Sequence, residues 1–203
     1  MGFRNTANGY EALYSNASGH NNVAIGYHAL YSNTIGDFNT AIGYNADVSS
    51  SSLTNATAIG YDAEVNASNK VVIGNSSVGT IGGYADWTNY SDKRFKENIE
   101  YQDDLGLDFI MKLKTVSFNY KDDKKQRRRD GLIAQDVEAA LEKIGAEFSG
   151  LVIDDDEQKT MNLAYGNFVL PLINAVKEQQ NTIEEQQRRI ESLEAEIETM
   201  KGK

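Results

Sequence analysis

A serine followed by an aspartate and three bases stands near the middle of the chain, in Y-S-D-K-R-F-K-E-N-I (Tyr90–Ile99). A serine hydroxyl is a weak nucleophile until a base takes its proton. The chain has two histidines, His20 and His28, both far upstream of Ser91. A Ser-His-Asp triad built within the second half of one subunit is therefore excluded. A Ser-Lys pair, a known variant of triad chemistry, remains open. Its requirement is severe, because a lysine with the ordinary pKa of about 10.4 is mostly charged at pH 7, and keeping it neutral there costs roughly 4–5 kcal/mol. Burial or a neighbouring cation supplies such a change, and Lys93, Arg94 and Lys96 crowd one another. The local spacing also suits a plain structural part, with Ser91 capping a short helix that carries Asp92 and Glu97 near its start. Cysteine is absent, so disulfides and thiolate chemistry are excluded.

The elements that must position these residues change character at this point. Residues 1–90 hold six acids, two bases and 11 of the 17 glycines, whereas residues 91–203 hold 24 acids and 18 bases. The net charge of −10 argues against a nucleic-acid partner held through phosphates. No apolar run approaches the roughly 20 residues of a membrane span, so no membrane insertion is expected. M-G-F-R-N-T lacks the apolar core of a signal peptide.

The first half repeats. T-A-N-G-Y-E-A-L, V-A-I-G-Y-H-A-L, T-A-I-G-Y-N-A-D and T-A-I-G-Y-D-A-E place Gly9, Gly26, Gly43 and Gly60 at steps of 17. V-V-I-G-N-S-S-V around Gly74 is a fifth, degenerate copy after a step of 14. A fixed period of this kind marks a solenoid. Short alternating runs around Ile25, Ile42, Ile59 and Ile73, bounded by Asn-, Ser- and Gly-rich connectors, predict strands. The regular glycine predicts a close backbone approach or a positive φ. Each copy has one Ile, one Tyr and one or two Ala to bury, and a coil this thin leaves apolar faces for lateral association.

N-T-A-I-G-Y-N-A (Asn39–Ala46) and its copies, over roughly residues 5–80, resemble the head repeats of trimeric autotransporter adhesins. That resemblance implies a left-handed parallel β-roll assembled in threes. Phage fibres carry similar repeats.

The second half mixes patterns. L-K-T-V-S-F-N-Y (Leu113–Tyr120) predicts a strand, and K-D-D-K-K-Q-R-R-R-D (Lys121–Asp130) a solvated loop. G-L-I-A-Q-D-V-E-A-A-L (Gly131–Leu141) turns helical, with Val137, Ala140, Leu141 and Ile144 on one face. D-D-D-E (Asp154–Glu157) predicts a hairpin turn rather than a metal site. At the C-terminus Val169, Val176, Ile183, Ile190 and Ile197 recur every seven residues. Leu172, Gln179, Gln186, Leu193 and Met200 follow each by three, which predicts a coiled coil. Pro171, the single proline, fits the first turn of that helix or just inside it, and would kink a helix begun at Asn162.

Y-S-D-K-R-F-K-E-N-I, L-K-T-V-S-F-N-Y, G-L-I-A-Q-D-V-E and M-N-L-A-Y-G-N-F-V-L-P-L-I-N-A-V-K-E-Q-Q (Met161–Gln180), in this order, resemble the C-terminal intramolecular chaperone domain of phage tailspikes and tail fibres, the endosialidase type. The domain is also similar to the self-cleaving module of a family of membrane-bound eukaryotic transcription factors. One departure is the lack of a proline after A-Q-D-V-E, which touches a loop and not the Ser-Lys pair.

The resemblance implies a mixed fold. Residues 1–85 are expected as β-roll and 86–203 as chaperone, divided into an α+β part over 91–160 and a long coiled-coil helix over 162–201. It implies a homotrimer whose C-terminal domain drives folding of the fibre and then cuts Tyr90–Ser91. Ser91 is then nucleophile, Lys96 general base, and Asp92, ranked lower, orients the turn. Cleavage is a single turnover in cis, with no cofactor and no metal. The implied place is the virion, after assembly in the host cytoplasm, with a host glycan or protein receptor met through the N-terminal part.

Two rivals stand beside this reading. One is a permanent trimeric fibre or bacterial surface adhesin that never cuts. The other, a sugar hydrolase, is disfavoured because no repeat shows paired carboxylates at a shared position, and Asp47, Asp62 and Glu64 are scattered.

Overall fold

The structure is a computed structural model and describes residues 2–102 and 104–201. Its contacts divide the chain into two compact units. The first comprises Met1–Asp86, Ser117–Arg129 and Ile153–Thr160, and the second Trp87–Val116, Asp130–Val152 and Met161–Lys203.

The first unit is a parallel β-solenoid of about four turns. Strands β1 (Thr6–Asn8), β2 (Val23–Ile25), β3 (Thr40–Ile42), β5 (Thr57–Ile59) and β7 (Val71–Ile73) form one sheet in that order. Strands β4 (Asp47–Val48) and β6 (Glu64–Val65) form a second. Thr6 pairs with Val23, Val23 with Thr40, Thr40 with Thr57, and Thr57 with Val71. The 17-residue repeat and its shortened last step are thus the register itself.

The repeated glycine explains the tightness of the coil. Gly26 has φ +136°, and a Cβ there would lie 2.2 Å from the carbonyl oxygen of Gly43. No other residue type fits both the positive φ and that approach.

The core differs from the expectation in one respect. Ala24, Ala41 and Ala58 are fully buried, with Leu30, Val48 and Val65. The isoleucines and tyrosines expected beside them are not. Ile25, Ile42, Ile59 and Ile73 point outward, each about 40% exposed. The reason is strand alternation: in T-A-I the alanine takes the inner face, so its neighbour must take the outer one. Tyr10, Tyr27, Tyr44 and Tyr61 stack outside the coil with centroids 5.4, 4.9 and 5.6 Å apart.

Asparagine completes the interior. Asn22, Asn33 and Asn39 are fully buried. Asn22 Oδ1 accepts from the Asn39 backbone N at 2.8 Å, and Asn39 Oδ1 from the Ala56 N at 2.9 Å. Asn22 Nδ2 donates to the Gly36 carbonyl and Asn39 Nδ2 to the Leu53 carbonyl. These amides satisfy turn groups that a narrow interior closes off from water.

The segment 121–130, expected as a solvated loop, is partly buried. Asp123 is 1% exposed, and its carboxylate accepts from Lys125 N, Arg127 N and Arg127 Nε, the last at 2.7 Å. The acids dispersed among the bases here fold the turn instead of merely diluting charge.

The 153–160 segment belongs to the same unit. Asp154 is buried and pairs with Lys70, and Asn66 Nδ2 donates to Asp156 Oδ2 at 2.7 Å. Hydrogen bonds from the Thr160 hydroxyl and backbone N, with a smaller one from Asn66, hold the Asp156 carboxyl down at about 2 against an ordinary 3.8. A carboxyl lowered on folding stabilises above its unfolded value, and that contribution is lost as pH falls from about 4 toward 2. A carboxyl-selective NMR titration is expected to find Asp156 near 2 in the wild type and nearer 4 in Thr160→Val. A wild-type midpoint near 4 would contradict this hydrogen-bond geometry.

In the second unit, helix α1 (Leu107–Lys112) and helix α2 (Ala134–Ile144) share a core of Phe109, Val137, Ala140, Leu141 and Phe168. The strand predicted over Leu113–Tyr120 is shorter, β8 (Val116–Phe118), and pairs with β9 (Arg129–Gly131). Strands β10 (Leu151–Ile153) and β11 (Met161–Leu163) flank the D-D-D-E turn as a two-stranded sheet. Helix α3 spans Val169–Lys201, 33 residues, and begins later than the expected Asn162. Strand β11 and a 3-10 turn at Tyr165–Phe168 occupy the intervening residues. Pro171 then falls in the first turn, where a missing N–H costs nothing. Residue 162 therefore lies in a strand, not in the helix.

Helix α3 also serves the element before it. The N-terminus of α1 has no capping side chain of its own; the Leu107 N–H donates to Glu178 Oε2 at 3.0 Å instead. Asn174 Nδ2 donates to the Leu105 carbonyl at 3.1 Å.

Candidate functional site

The stretch after Ser91 folds as one short turn. Lys93–Phe95 is a 3-10 helix, closed by Phe95 N donating to the Asp92 carbonyl and Lys96 N to the Lys93 carbonyl. The residue that caps it is Asp92, not Ser91 as the spacing suggested. The Asp92 backbone is extended, and its Oδ1 accepts from Arg94 N at 2.8 Å. A carboxylate one residue closer to the turn reaches that N–H, which leaves the serine hydroxyl unengaged by the cap.

The turn brings the two ends of the motif together. Lys96 Nζ donates to Ser91 Oγ at 2.9 Å. A separation of this size serves proton transfer in either direction once the amine is neutral, since the same two atoms then exchange donor and acceptor roles. Ser91 and Lys96 are both exposed, as is Tyr90, whose ring meets that of Phe95 edge-on at 5.8 Å.

Asp92 is not aimed at the serine. Its carboxylate accepts from Arg94 Nη2 at 2.6 Å and from Arg94 Nε at 3.1 Å to each oxygen. The guanidinium beside it holds its carboxyl below the usual carboxylate range, helped by the backbone hydrogen bond. Sequence reasoning overlooked Arg94 as its partner, although a guanidinium two residues from a capping carboxylate was there to be read.

The carboxylates dismissed as scattered do come together. Asp47 and Glu64 are cross-strand partners in β4 and β6, and with Asp62, His28, Tyr31 and Asn45 they line a shallow cavity of about 360 Å³. Asp47 already has a structural task. It accepts from Ser32 N and Val48 N, and burial raises its carboxyl above the ordinary value despite these bonds. A carboxylate tied into two backbone turns is poorly placed to move a proton for a substrate. Among the described residues no cluster of His, Asp and Glu suits a metal ion, and no helix is long and apolar enough to cross a membrane.

Residues 91–146 match the family described as chaperone of endosialidase. No curated protein matches the chain. The matched segment begins at Ser91 and ends just beyond α2, so it takes in the Ser-Lys turn and most of the second unit's core.

Proposed function

We propose that the C-terminal part of the chain is a chaperone domain of the endosialidase type, the family that residues 91–146 match, and that the protein is the distal part of a trimeric phage tail fibre or tailspike that releases its own chaperone. The C-terminal domain drives trimerisation and folding of the solenoid, and Ser91 then cuts the bond before it. The observation that carries the reading is the 2.9 Å contact between Lys96 Nζ and Ser91 Oγ at the first residue of the family match.

The chemistry follows from the serine's place beside the scissile carbonyl. Neutral Lys96 takes the hydroxyl proton, and Oγ attacks the Tyr90 carbonyl carbon. The carbon–nitrogen bond breaks, and the Ser91 nitrogen takes the proton back from Lys96. An ester then joins Tyr90 to Ser91 Oγ, and water hydrolyses it to a Tyr90 carboxylate and the restored serine. Each chain does this once.

Two features support chains associating along their length, while the number three comes from the resemblance of the repeats. Helix α3 leaves Val176, Ile183, Ile190, Leu193 and Ile197 exposed at heptad positions, a stripe that needs a partner in water. The solenoid leaves its outer isoleucine row open in the same way. Parallel pairing between distant segments is slow and exposes strand edges until complete. Tethering chains through one helix raises their effective concentration and sets register from one end. Cutting afterwards removes the way back, so the fibre is held kinetically. A receptor surface on the solenoid and a place in the virion belong to the same proposal.

Intact mass of freshly made protein beside Ser91→Ala tests it. Fragments 1–90 and 91–203 from the wild type, and an uncut Ser91→Ala chain that still trimerises, are expected. A wild-type trimer that stays whole would leave a permanent fibre clamp instead.

A further inference from the structure

The Asp92–Arg94 pair has no role in the reaction as written, yet it sits between the two residues that perform it. Asp92 follows Ser91 directly and precedes Lys96 by four residues. Elsewhere this chain pairs aspartate with lysine at that same spacing: Asp108 with Lys112, and Asp155 with Lys159 at 2.7 Å. At the seam the aspartate turns to Arg94, which takes both carboxylate oxygens in addition to the backbone bond. The planar fork of a guanidinium matches a carboxylate in a way that a single ammonium does not.

We propose that Arg94 is a positioning residue for self-cleavage: by engaging Asp92 it withholds that carboxylate from Lys96, which stays directed at Ser91 and free to give up its proton. The inference rests on the Ser91–Lys96 reading. A carboxylate paired with an ammonium favours the charged form, and a general base must be uncharged. Without Arg94 the Asp92 carboxylate, four residues before Lys96, would be released to pair with it. Arg94 also adds a positive charge of its own, together with Lys93; Glu97 is the remaining acid on the segment.

A double-mutant cycle on the full chain separates this role from simple turn formation. The appearance of fragment 1–90 is timed by gel and intact mass during cell-free synthesis. The chains compared are wild type, Arg94→Ala, Asp92→Asn, the double variant and Arg94→Lys, with Ser91→Ala as the uncut reference. Asparagine still caps the turn, so the backbone is kept while the charge goes. Arg94→Ala is expected to slow cutting roughly fivefold when Asp92 is present, and by less than about twofold in the Asp92→Asn background, the scale of an exposed ion pair. Arg94→Lys, which keeps a cation for Asp92, is expected to stay closer to wild type than Arg94→Ala does. A native gel shows whether each variant trimerises, and Arg94→Lys carries the comparison if Arg94→Ala does not.

Equal loss in both backgrounds would make Arg94 a turn former and overturn the proposal. A double variant slower than Arg94→Ala would overturn it too. A wild-type chain as whole as Ser91→Ala would instead remove the self-cleavage reading, and the positioning role with it.

Discussion

Lys96→Met is expected to leave the chain whole over times in which the wild type, by the proposed self-cleavage, is expected to be cut between Tyr90 and Ser91. The lysine is the basic group in contact with the serine, at 2.9 Å from Oγ. Methionine keeps an unbranched stem and removes the amine. A positioned acid–base group contributes about 10²–10⁴-fold to rate, so even the lower end turns a reaction of minutes into one of hours. Lys96 is exposed, and exposed substitutions usually change stability within about 0.5 kcal/mol. A loss of cutting in a chain that still trimerises would therefore be a loss of chemistry. The check is the fraction of fragment 1–90 against time, with oligomeric state measured on the same sample. Cutting at the wild-type rate would mean that another group takes the Ser91 proton, and the contact in the turn would be incidental.

Gly26→Ala is expected to unfold the solenoid from its middle coils. The new Cβ would lie 2.2 Å from the Gly43 carbonyl oxygen and 2.6 Å from its carbon, at a φ of +136°. Backbone cannot yield there as a flexible side chain would, because Gly43 packs on the next coil in the same way, a Cβ built on it lying 2.4 Å from the Gly60 carbonyl oxygen. Strain and overpacking together make about 4 kcal/mol or more. For a chain of this size that lowers the melting temperature by about 10 °C or prevents folding. Gly60→Ala provides a graded comparison, since the nearest atoms there lie 3.3 Å away. Gly145, the left-handed cap of α2, has nothing within 4 Å, so alanine there costs only about 1–2 kcal/mol. Melting followed by circular dichroism should rank Gly26→Ala well below Gly60→Ala, and Gly60→Ala below Gly145→Ala. A Gly26→Ala protein that melts with the wild type would refute the close-approach account of the repeat.

The repeat was legible because each copy meets the next: a 17-residue step in sequence is a 17-residue step in strand pairing. The 14-residue step before Gly74 was legible on the same ground, as the Thr57–Val71 pairing. The interior was read less well. Isoleucine and tyrosine look like core in a count of apolar residues, but alternation sends Ile42 outward once Ala41 faces in. The interior instead needed Asn22 and Asn39, whose amides serve turns one coil away. Asn5, Asn22 and Asn39 do recur every 17 residues, four before the glycine. That signal was present, but polarity argued against burial until the partners were known.

Around Ser91, local spacing by itself favoured a helix cap, and it was the resemblance carried by four ordered blocks that pointed to Ser91, Lys96 and Asp92. Their roles in the turn were not readable that way. Which oxygen caps it depends on backbone dihedrals that no spacing specifies: an extended Asp92 capping Lys93–Phe95 puts Arg94 on the carboxylate and Lys96 on the serine. The start of α3 at Val169 was decided in the same way, by the pairing of β11 with β10, which draws residues 161–163 into a sheet that the heptad pattern cannot see. Local periodicity is a property of neighbouring residues and survives in the sequence. Competition between a helix and a strand partner some ten residues away is settled only when the chain has folded.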